Sequence, residues 1–283
     1  MALGLQRAKL SGVRGLILAL LLTACSERGT ATNPAQETVD ERKHAAEAAA
    51  QPPSSPAAHP FSVSEKTSLY DFEYGWPAEA AAVPELDARF RKEMGEAKAE
   101  LISVAKEDRS ERTVRGYTTS PHATLFGYEI AGQSKRLLSL VSSVYRFTGG
   151  AHGFNGSNAL LWDRRLAREL SLQDLLASGQ SWTAAIRQPF CVLLDRERQK
   201  RREEPVNRDD LFGNCPELKD VTVVPADTDK NGRFDHIAIT ADQYVAGPYA
   251  EGPYDISLPI TAKMIERLKP EYFSSFEPRP PVQ

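Results

Sequence analysis

Asp227, Asp229, Asn231, Gly232 and Asp235 fall at places one, three, five, six and nine of an EF-hand-type calcium loop. That spacing turns alternate side-chain oxygens onto one hard cation, and glycine takes the sharp bend. The match stops at place twelve, where Ala238 stands instead of the bidentate glutamate, and the residues around it alternate as in a strand. Two readings stand. One is a weakened calcium site through Asp227, Asp229, Asn231 and Asp235; the other is a turn whose Asp and Asn side chains cap their own backbone.

A second concentration of chemistry is Phe147-Thr148-Gly149-Gly150-Ala151-His152-Gly153, the densest glycine cluster of the chain. Glycines admit positive φ and let a partner approach backbone N–H groups, which suits a binding loop. A tight connection between strands has the same composition. His152 is an imidazole able to exchange a proton near neutral pH, but no Ser, Cys or carboxylate stands at a recognisable spacing from it. No catalytic residue is assigned. G-x-S-x-G, the Walker loop, H-E-x-x-H and the dinucleotide fingerprint are all missing from the sequence, so the nucleophile, phosphate, zinc and nicotinamide signatures they carry are absent.

Cys25 offers chemistry of another kind. Arg7, Lys9 and Arg14 precede the apolar stretch Gly15 to Leu22, and Thr23-Ala24 then leads into the cysteine. The stretch is far shorter than the ~20 residues of a membrane-spanning helix, so residues 1–24 read as a cleaved leader. The segment resembles a bacterial lipoprotein signal. That resemblance implies an acylated Cys25 that anchors the protein to a lipid bilayer; an ordinary secretory leader with an incidental cysteine is the alternative. It further implies a lipoprotein facing the periplasm or cell exterior, and Ser26 resembles an outer-membrane sorting residue if the source has such a membrane. In that oxidising setting Cys191 and Cys215 are expected to pair, since no other thiol remains. Two buried free thiols are the other outcome.

Charge narrows the partners. The chain has 35 basic and 38 acidic residues, and loss of the three leader cations takes the net charge to about −6. Nucleic acid is excluded as the expected partner. Glu217 to Asp255 holds eight acidic and three basic residues, a segment that either forms a solvated face or attracts a cation or a basic protein.

The elements that must position these residues follow from periodicity. Residues 25–60 are rich in Ala, Pro, Ser and Thr and read as a disordered tether. Tyr70, Phe72, Tyr74 and Trp76 alternate as in a strand with one buried face, and Leu86, Phe90, Met94, Ala97, Leu101 and Val104 mark a helix after Pro84. Strands are expected over Arg115 to Ile130, Arg136 to Phe147 and Ser157 to Trp162, with Gly132 separating the first two. A helix through Trp182, Ile186, Phe190 and Leu194 should kink at Pro189 and end in the solvated mixed-charge tail Asp195 to Glu204. Val221 to Val224, His236 to Thr240 and Ile256 to Ile260 complete the strands before a closing helix through Met264. Neighbouring strands with interspersed helices predict an α+β fold, with an antiparallel sheet and packed helices in two lobes, 61–165 and 166–278.

The order of these motifs resembles the extracytoplasmic region of RsiV/PdaC-type proteins. The features that carry the resemblance are Gly149-Gly150-Ala151-His152-Gly153 and Tyr249-Ala250-Glu251-Gly252 ahead of the strand Asp255 to Ile260. In that family the region is an α+β ectodomain; one member senses lysozyme by direct binding, and another carries the region beside a peptidoglycan deacetylase domain. The resemblance implies a non-enzymatic envelope module that binds a lysozyme-like muramidase or peptidoglycan, with Gly149, Gly150, His152, Tyr249 and Glu251 as binding residues. The sequence shows neither an anti-sigma segment nor a following deacetylase domain, so those activities do not transfer. Two alternatives remain open. One is a cell-wall glycan hydrolase or deacylase using His152 with Glu251 or Asp255, and the other is a structural lipoprotein stabilised by calcium.

Overall fold

The computed structural model describes residues 58–280. The leader, Cys25 and nearly all of the tether lie outside the described residues. Strands β1 (Phe61–Lys66) and β2 (Tyr70–Trp76) form an antiparallel hairpin, followed by the short helix α1 (Ala78–Ala81) and the long helix α2 (Pro84–Val114). Next come β3 (His122–Gln133), β4 (Leu137–Phe147), β5 (Phe154–Asp163) and β6 (Arg168–Leu170), which complete a six-stranded sheet in the order β1-β2-β3-β4-β5-β6. Helix α3 (Thr183–Arg202) leads to a three-stranded antiparallel sheet of β7 (Thr222–Ala226), β8 (His236–Ala241) and β9 (Tyr254–Pro259), closed by α4 (Ala262–Ile265). The fold is α+β.

One pairing departs from the antiparallel expectation: β3 lies parallel to β2. A parallel pair needs a long crossover, and α2 supplies it. The helix also outruns its expected end at Val104. Residues 105–114 are mostly good helix formers, and Arg112 pairs with Asp108 one turn back at 2.7 Å. The strand expected from Arg115 therefore begins only at His122. Gly132 does not separate strands either. It lies inside β3 at a bulge, where a Cβ would come within 2.5 Å of the Asp227 backbone nitrogen; the second lobe packs onto that bare backbone, and Asp227 N–H donates to Ala131 O.

Strand alternation divides the sheet between two cores. Phe72, Tyr74 and Trp76 join Leu138, Leu140, Leu160 and Trp162 against Leu86 and Phe90 of α2. Leu137 and Leu161, each one residue away, point to the opposite face and pack with Ile186, Phe190, Ile237 and Ile256. The first sheet is thus a middle layer, with α2 on one face and the second lobe on part of the other.

Helix α3 continues through Pro189 to Arg202. Its charged tail is solvated at six of the ten residues from Asp195 to Glu204, as composition suggests, but not at Arg198. Arg198 is 0 % exposed, and its guanidinium donates to Ala246 O, Asn214 O and Asp195. A buried cation is tolerable only with this degree of satisfaction. Cys191 and Cys215 are joined as a disulfide, which ties the loop after α3 back to the helix.

Candidate functional site: an acidic cleft with an aromatic rim

Where the second lobe leaves the first sheet uncovered there is a cleft of about 660 Å³, floored by Leu125, Val141 and Tyr145 and walled by Thr240, Asp242 and Asp255. Four carboxylates line it, those of Glu73, Glu129, Asp242 and Asp255, and no Lys or Arg does. The same alternation that buries Phe72 and Tyr74 against α2 sends Glu73 to this face, as it does Glu129 between Tyr128 and Ile130. Asp242 is fixed by Ser157, whose N–H and hydroxyl donate to it at 2.9 and 3.0 Å. Asp255 accepts from the Thr240 hydroxyl at 2.7 Å. The Gln243 amide oxygen, also at the cleft, is buried without a hydrogen-bond partner among the described residues.

Three aromatic rings cluster next to residues of the lining, since Tyr244 follows Gln243 in the chain and Gly153, after His152, lies on Tyr145. His152 stacks on Tyr249 with ring centroids 4.2 Å apart, and its Nε2 lies 3.5 Å from the Tyr244 hydroxyl. Tyr244 is 54 % exposed and holds φ at 67°, an unfavourable conformation for a bulky residue. The glycine loop reaches the floor through Gly153: a Cβ there would lie 2.2 Å from the Tyr145 ring, so only glycine lets the loop lie flat on it. At the other end, Gly149 takes φ 87° and its carbonyl faces Arg112 at 3.5 Å. Arg112, with help from His122 and against partial desolvation, holds the Asp108 carboxyl below its usual range. Gly150 lies between these anchors.

The turn that carries Tyr249 is held by the end of α3. Arg202 forms a two-pronged pair with Glu251 at 2.9 and 3.0 Å, and Arg201 donates to the carbonyls of Glu251 and Pro253. The Tyr254 hydroxyl also donates to Glu251. Burial alone would raise the Glu251 carboxyl; Arg202 and Tyr254 outweigh it and hold the group below the usual range. Of the residues singled out from sequence, the structure brings His152 and Tyr249 together, places Gly149 and Gly150 in the loop behind them, and turns the Glu251 carboxylate into the clamp. Glu73, Glu129, Asp242, Tyr145 and Tyr244 were not singled out. Alternation with core aromatics is a signal for Glu73 and Glu129; Asp242 carries none before the two sheets are assembled.

The Asp-rich loop lies at the far end of β8 from the cleft. Asp227 accepts from the backbone N–H groups of Asn231 and Gly232 at 3.1 and 2.9 Å, which is the self-capped turn. Asp229, Asp235 and Glu277 offer oxygens within 4.8 Å of one another, and the guanidinium of Arg279 pairs with all three. Asn231 donates to Asp229 and Glu277. Burial would raise the Asp235 carboxyl, but hydrogen bonds from Thr228, His236 and Arg279 prevail and hold it well below the usual range.

The fold is α+β, and one comparison finds a family similar to part of the chain. Residues 63–155 match the family described as Deacetylase PdaC, a stretch that runs from β1 into β5 and contains the glycine loop. The match covers 93 of the 283 residues, and over that stretch the chain is similar to the PdaC family. Two solved structures are similar at lower levels. A DUF3298 family protein from Pseudomonas aeruginosa PAO1 shares 19% identity over 80% of this chain and 99% of its own, with a TM-score of 0.45. A DUF3298 member from Bacteroides fragilis shares 15% over 77% and 97%, with a TM-score of 0.43. No curated protein matches the chain.

Proposed function

We propose that the protein is a membrane-anchored envelope lipoprotein, acylated at Cys25, whose acidic cleft binds a basic muramidase of the lysozyme type. The observation that carries this reading is the set of four carboxylates around one cleft without a lysine or arginine among its lining. Such a cleft focuses negative potential, speeds encounter with a basic partner and orients an incoming Lys or Arg side chain. The Gln243 oxygen is an acceptor waiting for a donor. Tyr244, Tyr249 and His152 add a stacking surface next to the lining, where an arginine plane or an apolar patch of the partner would settle.

The second reading is a peptidoglycan glycan strand in the same cleft, favoured by the ring stack of His152 and Tyr249 beside hydroxyl and carboxylate groups. Salt separates the two. A muramidase complex held by charge weakens steeply between low and physiological ionic strength, and a stacked neutral sugar does not. Binding of purified muramidase and of soluble glycan fragments to the full chain, at both ionic strengths, tests them. Retention of neither partner rules out both.

A further inference from the structure

On the other face of the first sheet there is a second cavity, of about 700 Å³, between α2 and the strands β4 and β5 that the helix does not cover. Phe126 and Tyr128 of β3, with Tyr74 of β2 beside them, form its floor, and the rings pack at 4.6 Å for Tyr74–Phe126 and 5.0 Å for Phe126–Tyr128. One end is closed by a charge network in which Arg89 pairs with Glu93 at 2.7 Å and Glu169 at 2.6 Å, and Tyr128 donates to Glu93 at 3.3 Å.

The other end is chemically unfinished. Glu96 and Glu100 follow Glu93 on the same face of α2, because steps of three and four residues keep one side of a helix. Glu96 has only a distant Lys92 at 3.8 Å. Glu100 has no side-chain partner among the described residues. Across the cavity Arg146 projects from β4 beside Thr124, and its guanidinium has no partner among the described residues either. An unused cation and unused carboxylates therefore face one space from opposite walls, above half-buried aromatic rings.

We propose that this cavity is a binding site for a zwitterionic ligand of the amino-acid or short-peptide class. Arg146 receives its carboxylate through paired N–H donors, Glu96 and Glu100 receive its ammonium, and Phe126 and Tyr128 carry its apolar part and the flank of the cation. The volume suits two or three residues of peptide. The site lies across the sheet from the acidic cleft and does not depend on what that cleft binds.

Isothermal titration of the full chain with the dipeptide alanyl-alanine tests the site, with the N-acetylated and C-amidated dipeptides as probes that each lack one charge. The zwitterion is expected to bind saturably, and removal of either charge to weaken binding by at least about tenfold. Arg146→Ala and the double change Glu96→Gln with Glu100→Gln should do the same. All three residues are exposed, so unchanged melting curves will show that the variants are folded. Glu129→Gln, on the opposite face, should leave dipeptide binding intact. The proposal is overturned if millimolar dipeptide shows no saturable binding or if the blocked dipeptides bind as tightly as the zwitterion. It is equally overturned if the Arg146 and Glu96/Glu100 variants bind normally, or if Glu129→Gln abolishes the signal.

Discussion

His152 lies against Tyr249 with ring planes 27° apart, joining the glycine loop of the first sheet to the turn ahead of β9 in the second lobe. The contact joins two parts of the chain that are far apart in sequence. An aromatic pair of this kind contributes about 0.5 to 1.5 kcal/mol beyond the area it buries. Tyr249→Ala should therefore lower the melting temperature only slightly. It should, however, weaken partner binding more than an exposed alanine change elsewhere does, and titration of the variant beside wild type checks this.

Glu251 acts as a clamp rather than as a group presented to a ligand. Glu251→Gln keeps the shape but removes the charge opposite Arg202, at a cost of about 1 to 3 kcal/mol. The expected signature is faster amide hydrogen exchange over residues 244–252, with little change in the first sheet. Unaltered exchange in that turn would mean that the arginines of α3 do not hold it.

Asp235, Asp163 and Glu251 all have carboxyls held below their usual range in the folded protein. A depressed folded value gives stability that is complete above the unfolded value of about 4 and lost as pH falls through the folded value. The melting temperature should thus be level from neutral pH down to about 5 and drop below about 4. Asp235 is 1 % exposed, and Asp235→Asn should cost about 3 to 5 kcal/mol by leaving part of its network unpaired and should flatten the acid drop.

Calcium addresses the same corner of the molecule. Arg279 already supplies positive charge to Asp229, Asp235 and Glu277, so melting midpoints in calcium and in chelator are expected to coincide for the wild-type chain. A clear rise in calcium would favour the metal reading of the Asp227 to Asp235 loop.

Reduction of the Cys191–Cys215 bond, or Cys191→Ser with Cys215→Ser, removes a cross-link of sequence separation 24. The loss should be roughly 3 to 4 kcal/mol. Chemical denaturation of oxidised and reduced protein reads it directly.

Sequence shows an element well where one face is continuously buried. Phe72, Tyr74 and Trp76 declare β2, and Leu86, Phe90 and Leu101 declare α2, because each set points into one core. It shows poorly what depends on assembly. β1 has only Phe61 and Val63 among polar residues and gains its place by stacking Phe61 on Trp76. The end of α2 is set by ion pairs rather than apolar period, and the parallel β2–β3 pairing by the length of the crossover. Arg198 looks like any surface arginine until Asn214 and Ala246 bring their carbonyls to it. The acidic cleft was illegible for the same reason: Glu73, Glu129, Asp242 and Asp255 come from four separate segments and meet only when the second lobe closes over the sheet.

The central claim is that charge in this cleft recruits a basic muramidase, and the most direct measurement is its binding isotherm with wild-type chain and with Glu129→Gln/Asp255→Asn, at about 20 and about 150 mM salt. The account predicts saturable binding to wild type at low salt, weakened by added salt and by the double change. No saturable binding at low salt, or binding indifferent to both salt and the two carboxylates, would contradict it.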